Sequence, residues 1–161
     1  MELLKEYWIP WLISNFLALI LLWITFKKPK LARILLVLLF GWACWINFKT
    51  AHQHPEDYLN YAAFTPFGPY RDFIIGWFSK RITVIVSTIA IGQGIIALGM
   101  LLKGVYLQIA CIGAIIFLIA IMPLGIGSGF PAPLIAAIAL YWIYKKNDQD
   151  YPWIFNTKKV N

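Results

Sequence analysis

The stretch ITVIVSTIAIGQGIIALGMLLKGVYLQIACIGAIIFLIAIMPL, residues 82–124, holds a single charged residue, Lys103. On either side of that lysine lies an apolar run of membrane-spanning length, residues 82–102 and 105–124. An α-helix rises about 1.5 Å per residue, so about twenty residues cross a hydrocarbon core about 30 Å thick. Only Lys103 and Gly104 separate the runs. So short a connection makes them antiparallel neighbours.

The same reading extends in both directions. Towards the N-terminus, residues 32–48 form an apolar run whose far end is crowded with Trp42, Trp45 and Phe48, as at a membrane interface. Before it, residues 8–26 form another, followed by Lys27, Lys28, Pro29 and Lys30. That basic flank, with no small-residue cleavage site, marks a retained helix and not a signal peptide. Towards the C-terminus, residues 130–144 are apolar but short. Gly125, Ile126, Gly127, Ser128 and Gly129 precede them, and Pro131 and Pro133 sit in the predicted first turn. The expected fold is therefore all-α: a polytopic transmembrane bundle forming one membrane domain with five spans, 8–26, 32–48, 82–102, 105–124 and 130–144.

Residues 49–81 are different in character. They hold both histidines, three acids, three prolines and many aromatics. Too polar to span and too aromatic for free solvent, they read as a cap on the membrane surface. Residues 56–64 and 70–79 are candidate short interfacial helices, and Thr65, Pro66, Phe67, Gly68 and Pro69 form the turn between them. Residues 145–161 form a polar tail.

Composition supports a bilayer environment. Hydrophobic residues make up 61% and charged residues 13% of the 161-residue chain, against about 45–50% and about 25% in soluble domains. The net charge of +7 invites a nucleic-acid reading, but the basic residues cluster beside apolar runs. There they set topology and meet anionic head groups. Nucleic-acid binding is not expected. Lys27, Lys28, Lys30, Arg33, Lys103, Lys145, Lys146, Lys158 and Lys159 fall on one side of five crossings. Lys5, Lys49, Arg71, Lys80 and Arg81 fall on the other. The positive-inside rule then places the N-terminus and the cap on the outer side of the membrane and the C-terminus in the cytoplasm.

Few residues offer chemistry. All seven acids (Glu2, Glu6, Glu56, Asp57, Asp72, Asp148 and Asp150) lie outside the predicted spans. Ion-coupled carriers usually place such groups inside the membrane. Cys44 and Cys111 lack dithiol spacing and read as small buried hydrophobes. His52 and His54, on one side of an extended segment and followed by Glu56 and Asp57, are a candidate metal pair. The simpler reading is a polar loop in which Pro55 opens a helix. No catalytic triad, phosphate-binding loop or zincin motif occurs. Gln93, between Gly92 and Gly94, offers a hydrogen bond either to a ligand or to a neighbouring helix. Gln108 lies at another depth, so the two glutamines do not pair. The Gly125–Gly129 run is either the rim of a membrane pocket or a tight turn. Most tryptophans lie near helix ends, as belt residues do.

Residues 33–144 resemble the DoxX-like family of small bacterial membrane proteins. Residues 32–41 (ARILLVLLFG) look like its opening helix, residues 55–62 (PEDYLNYA) like the short segment after it, and residues 89–102 (IAIGQGIIALGMLL) like the next helix. The family often has an acid where this chain has Gln93. The resemblance implies a four-helix core, to which the first helix is an addition. It also implies membrane subunits that support quinone-linked or other redox complexes. The expected function is thus a non-catalytic membrane subunit that binds a lipid-soluble molecule, such as a quinone, and supports a redox partner. Its ligand site would use Gln93, Gly92, Gly94, Gln108, Ser128, Gly127, Tyr61 and Trp77. A carrier or channel for a small solute or lipid, and an assembly scaffold or chaperone, are the alternatives. The expected partners are the bilayer and either a membrane protein or a second copy of the chain.

Overall fold

The computed structural model describes residues 2–146 and 150–154; Lys158 and Lys159 of the predicted tail lie outside them. Among the described residues every regular element is helical. Helix α1, Glu2–Lys27, is followed at once by α2, Pro29–Gln53. Pro29 opens α2 at a position where its missing N–H costs nothing. Helix α2 runs beyond the predicted end at Phe48. Nothing in residues 49–53 breaks it, and it stops only at His54. There the following Pro55 excludes the α region, and the backbone turns to φ −142°. The last turns assigned to the cap therefore belong to a spanning helix.

The cap itself is a chain of short turns. A 3₁₀ turn, Pro55–Asn60, leads into α3, Tyr61–Phe64; α4, Gly68–Phe73, leads into a π-helical turn, Ile74–Phe78. Helix α5, Ile82–Leu101, and α6, Val105–Ile121, form the hairpin. Gly104 makes its corner at φ +60°, ψ −134°, a conformation open to glycine alone. A 3₁₀ segment, Met122–Ser128, and a left-handed Gly129 then lead to α7, Ala132–Lys145.

The five long helices close into a ring. Helix α1 packs on α2 and α7, α2 on α5, α5 on α6, and α6 on α7. Long helices consecutive in the chain run in opposite directions, so the cap gathers at one end and the basic loops at the other, the base, while α1 and α7, which close the ring, run parallel. Small residues set the spacing. A Cβ at Gly99 of α5 would lie 2.6 Å from the Cβ of Ala110 of α6, so the two backbones approach as only glycine allows. Inside the basal part of the ring, Leu36, Phe40, Met100, Leu107, Cys111, Leu140 and Ile143 form the core. Outside it, Ile91, Ile95 and Leu98 of α5 and Ile109, Ile112, Ile116 and Ile119 of α6 are exposed. Such continuous apolar faces suit hydrocarbon and not water. Four helical segments, Tyr7–Lys27, Pro29–Gln53, Ile82–Leu101 and Val105–Ser128, are long and apolar enough to cross a membrane. The fold is that of a helical membrane protein. Helix α7, with 14 residues, is shorter, at about 21 Å.

One charge lies inside the base. Arg33, read from the sequence as part of a flanking basic cluster, is 1% exposed. Its position in the first turns of α2 points it into the ring instead. Its guanidinium donates to the carbonyl oxygen of Met100 through Nε at 3.1 Å and Nη2 at 3.0 Å. It also donates to the carbonyls of Leu102 and Asp150. One side chain thus satisfies the carbonyl end of α5 and holds the C-terminal segment against it. Lys30 donates to Ile154 O at 2.6 Å, Lys103 sits 4.9 Å from the centre of the Tyr151 ring, and Pro152 is fully buried.

Replacing Arg33 by Gln should lower the unfolding midpoint in detergent and open residues 150–154 to protease. Each buried carbonyl left without its donor costs about 1–3 kcal/mol. Arg33→Lys should recover only part of the loss, because a single ammonium does not reproduce the planar fork. An unchanged midpoint and unchanged cleavage in Arg33→Gln would show that the contact holds nothing.

Candidate functional site

Asn47 and Thr50 stand three residues apart on α2 and so share a face. That face looks towards the cap. Tyr58 O–H donates to Asn47 Oδ1 at 2.9 Å, and Asn47 Nδ2 donates to Gln93 Oε1 at 2.9 Å. Gln93, 2% exposed, therefore bonds to a neighbouring helix, the simpler of its two sequence readings. The result is a polar chain from α5 through α2 to the cap.

Helix α1 is fixed to the glycine turn opposite. Trp11 Nε1 donates to Phe130 O at 2.7 Å, and Asn15 Nδ2 to Gly129 O at 3.0 Å. The glycines explain themselves sterically. A Cβ at Gly127 would lie 2.6 Å from Tyr61 Cδ1, and one at Gly129 would lie 2.7 Å from Ser14 Oγ. The turn is pressed between the cap and α1, and its backbone forms a wall.

Between these parts lies a cleft of about 510 Å³. Tyr7, Pro10, Trp11 and Ser14 of α1 form one side, and Ile46, Asn47 and Thr50 of α2 the next. Asp57, Tyr58, Asn60, Tyr61 and Phe64 come from the cap, and Ile126 to Gly129 from the turn. The rings form a continuous surface: Tyr7 meets Phe64 at 5.1 Å between centroids, Phe64 meets Tyr61 at 6.2 Å, and Tyr61 meets Tyr58 at 6.1 Å. Burial pushes the Tyr58 phenol up to about 12, and its neighbour Tyr61 adds to the rise. Burial raises the Tyr61 phenol as well. Both are neutral hydroxyls at physiological pH.

Of the residues singled out from sequence, Tyr61, Gly127 and Ser128 line this cleft, and Gln93 stands one hydrogen bond behind it. The others lie elsewhere. Gly94 faces Cys44 Sγ at 3.2 Å from its would-be Cβ, and Gly92 has nothing near it. Gln108 is in the first turn of α6, at the base. Trp77 stacks on Phe73 at 5.7 Å and under Arg81 at 4.9 Å, away from the cleft. The extended arrangement expected of His52 and His54 is replaced by a helix end. His52 Nδ1 turns back to Phe48 O at 2.8 Å, while exposed His54 lies 3.5 Å from Glu56. Among the described residues no three metal-ligating side chains converge. Both cysteines are free thiols.

Sequence reading missed Asn47, Asp57 and Asn60 as site residues and took Trp11 for a belt residue; Tyr58 it reached only as one of the cap aromatics. Asn47 carried a signal, being a carboxamide at the end of an apolar run two residues beyond Trp45. Its partners, from α5 and the cap, are far away in the chain. Comparison of the chain with protein-family models, curated proteins and solved structures gives no match.

The Tyr58 phenol ionises later in the folded chain than its ordinary 10.0, at about 12. Its contribution to stability is therefore whole below about pH 10 and lost as pH rises through about 12. Absorbance titration at the phenolate band should show a late component that Tyr58→Phe removes. Loss in the variant of a component near the ordinary 10.0, with the late component unchanged, would place Tyr58 in solvent.

Proposed function

We propose that this chain is a non-catalytic membrane-embedded binding subunit whose cap-end cleft receives the polar end of a lipid-soluble molecule. The observation that carries the reading is the cleft itself: about 510 Å³ walled by aromatic rings around a few polar groups. This is the size and lining of a small-molecule site. The base supports binding over conduction. Its core is filled from all five helices, and the Arg33 contacts and residues 150–154 close it.

In this reading α7 is a fifth crossing and the cap lies on the outer surface of a bacterial inner membrane, with the C-terminus in the cytoplasm. The basic residues at the base favour that orientation. A quinone, which the DoxX-like resemblance implies, belongs to the proposed ligand class. The same resemblance makes a redox complex the partner to which the bound molecule is presented.

Gly127→Val tests the site. The added side chain must displace the Tyr61 ring into the cleft. Binding of a short-chain quinone or a lysolipid to the protein in nanodiscs should weaken about tenfold, the equivalent of about 1.4 kcal/mol of overpacking. Native mass spectrometry of the gently extracted protein should show a retained lipid-soluble molecule that the variant loses. Equal retention and equal affinity would move the site elsewhere.

A further inference from the structure

Resting on the cleft as a binding site, its lining points to the class of head group. The chain carries 14 basic residues against 7 acids, yet none of the described residues lining this cleft is basic and one of them, Asp57, is acidic. The Asp57 side chain makes no hydrogen bond or ion pair with any described residue. Asp57 interacts electrostatically with Tyr58, and the same lining holds the rings of Tyr7, Trp11, Tyr58, Tyr61 and Phe64. Aromatic faces carry negative potential and attract organic cations.

The hydrogen-bond donors of the cleft argue the same way. Trp11 donates to Phe130 O, Ser14 to Trp11 O, Ser128 to Gly125 O, Tyr58 to Asn47, and Asn47 to Gln93. These five donors are thus committed within the protein. An anionic head group would meet no opposite charge among the described lining residues and would face Asp57, whereas a cation needs no donor. It needs ring faces and a carboxylate, and both are present. We infer that the cleft selects an organic ammonium group, flanked by Asp57 and the aromatic wall of Tyr7, Phe64, Tyr61 and Tyr58. The ammonium comes either from a lipid head group or from a free small molecule.

Choline and 3,3-dimethyl-1-butanol have the same shape and differ by the positive charge, so they isolate the claim. Each is titrated calorimetrically into the full chain in phosphatidylglycerol nanodiscs, which carry no ammonium of their own. Choline should bind at least about tenfold more tightly than its neutral counterpart, and Asp57→Asn should weaken choline about five- to thirtyfold while leaving the neutral compound unchanged. Equal affinities for the two compounds, or an unaltered choline affinity in Asp57→Asn, overturn the inference. If in that case the neutral compound still binds and Gly127→Val weakens it, the cleft remains a binding site without charge selection. If neither compound binds and Gly127→Val alters nothing with quinone or lysolipid, the binding-site reading itself falls. Exchange into phosphatidylcholine or phosphatidylethanolamine nanodiscs separates the sources. Suppressed choline binding there identifies a lipid head group as the occupant, and undiminished binding identifies a free ammonium compound.

Discussion

A guanidinium buried inside a ring of apolar helices constrains everything around it. Desolvating Arg33 is costly, and the cost is offset only where acceptors surround the group. The unpaired carbonyls at the end of a helix are such acceptors. Met100 and Leu102 supply them from α5, and Asp150 supplies another from the C-terminal segment. Helix α2 is thereby locked in register against α5. The turn at Lys103 and Gly104 follows from where α5 must end, and the C-terminal segment is drawn across the base. With Pro152 buried beneath it and Lys30 and Lys103 holding its flanks, the base is closed.

The second polar node lies towards the other end of the same helix. Asn47 is fourteen residues beyond Arg33, about 21 Å along the axis, and bonds to both Gln93 and Tyr58. Helix α2 thus carries one polar anchor near each end, and both reach α5. The difference lies in what each joins. Arg33 joins backbone carbonyls and seals. Asn47 joins side chains, one from the cap, and leaves its own face on an open space. In an apolar medium a carboxamide between two polar partners also specifies which helix faces which. The cap is tied to the bundle by this chain, by Thr65 Oγ1 donating to Pro123 O and by the Tyr70 hydroxyl donating to Ala120 O.

What could be read from the sequence follows the range of the physics involved. Apolar runs, the two-residue turn at Lys103 and the amphipathic cap are local patterns, and the four long apolar helices lie where those patterns put them. The Gly125–Gly129 run reads from the sequence as either a pocket rim or a tight turn, and in the structure it is a turn whose backbone lines the cleft. Arg33 was misplaced because its neighbours Lys27, Lys28 and Lys30 look alike in sequence, and only packing separates the one that points inward. The reach of α2 to Gln53 was underestimated because polarity was taken as the end of a helix, when Pro55 ends it. Asn47 and Asp57 could not be singled out, since their roles depend on Gln93 and on a wall of rings brought from α1 and the cap. Gln93 was found for its rarity in an apolar helix, but a direct ligand role was one of two readings, and its bond to Asn47 sets it behind the cleft.

The cleft exists because the fifth helix is short. Helices α1 and α2 have 26 and 25 residues, against 14 in α7. A ring closed by so short a member cannot be filled along its whole height by helix packing. Before α7 begins, the chain instead runs through the 3₁₀ segment, Gly129 and Pro131. Glycines admit Tyr61 and Ser14 to within contact of that backbone. Had those positions carried side chains, the gap would be filled from the turn and the rings of the cap would be pushed away. As it is, the wall is backbone on one side and aromatic on the other, with Asp57 at its edge. Residues 122–131 trade helical length for an enclosed surface at the cap. The same short helix that lets the base be packed shut keeps the other end hollow.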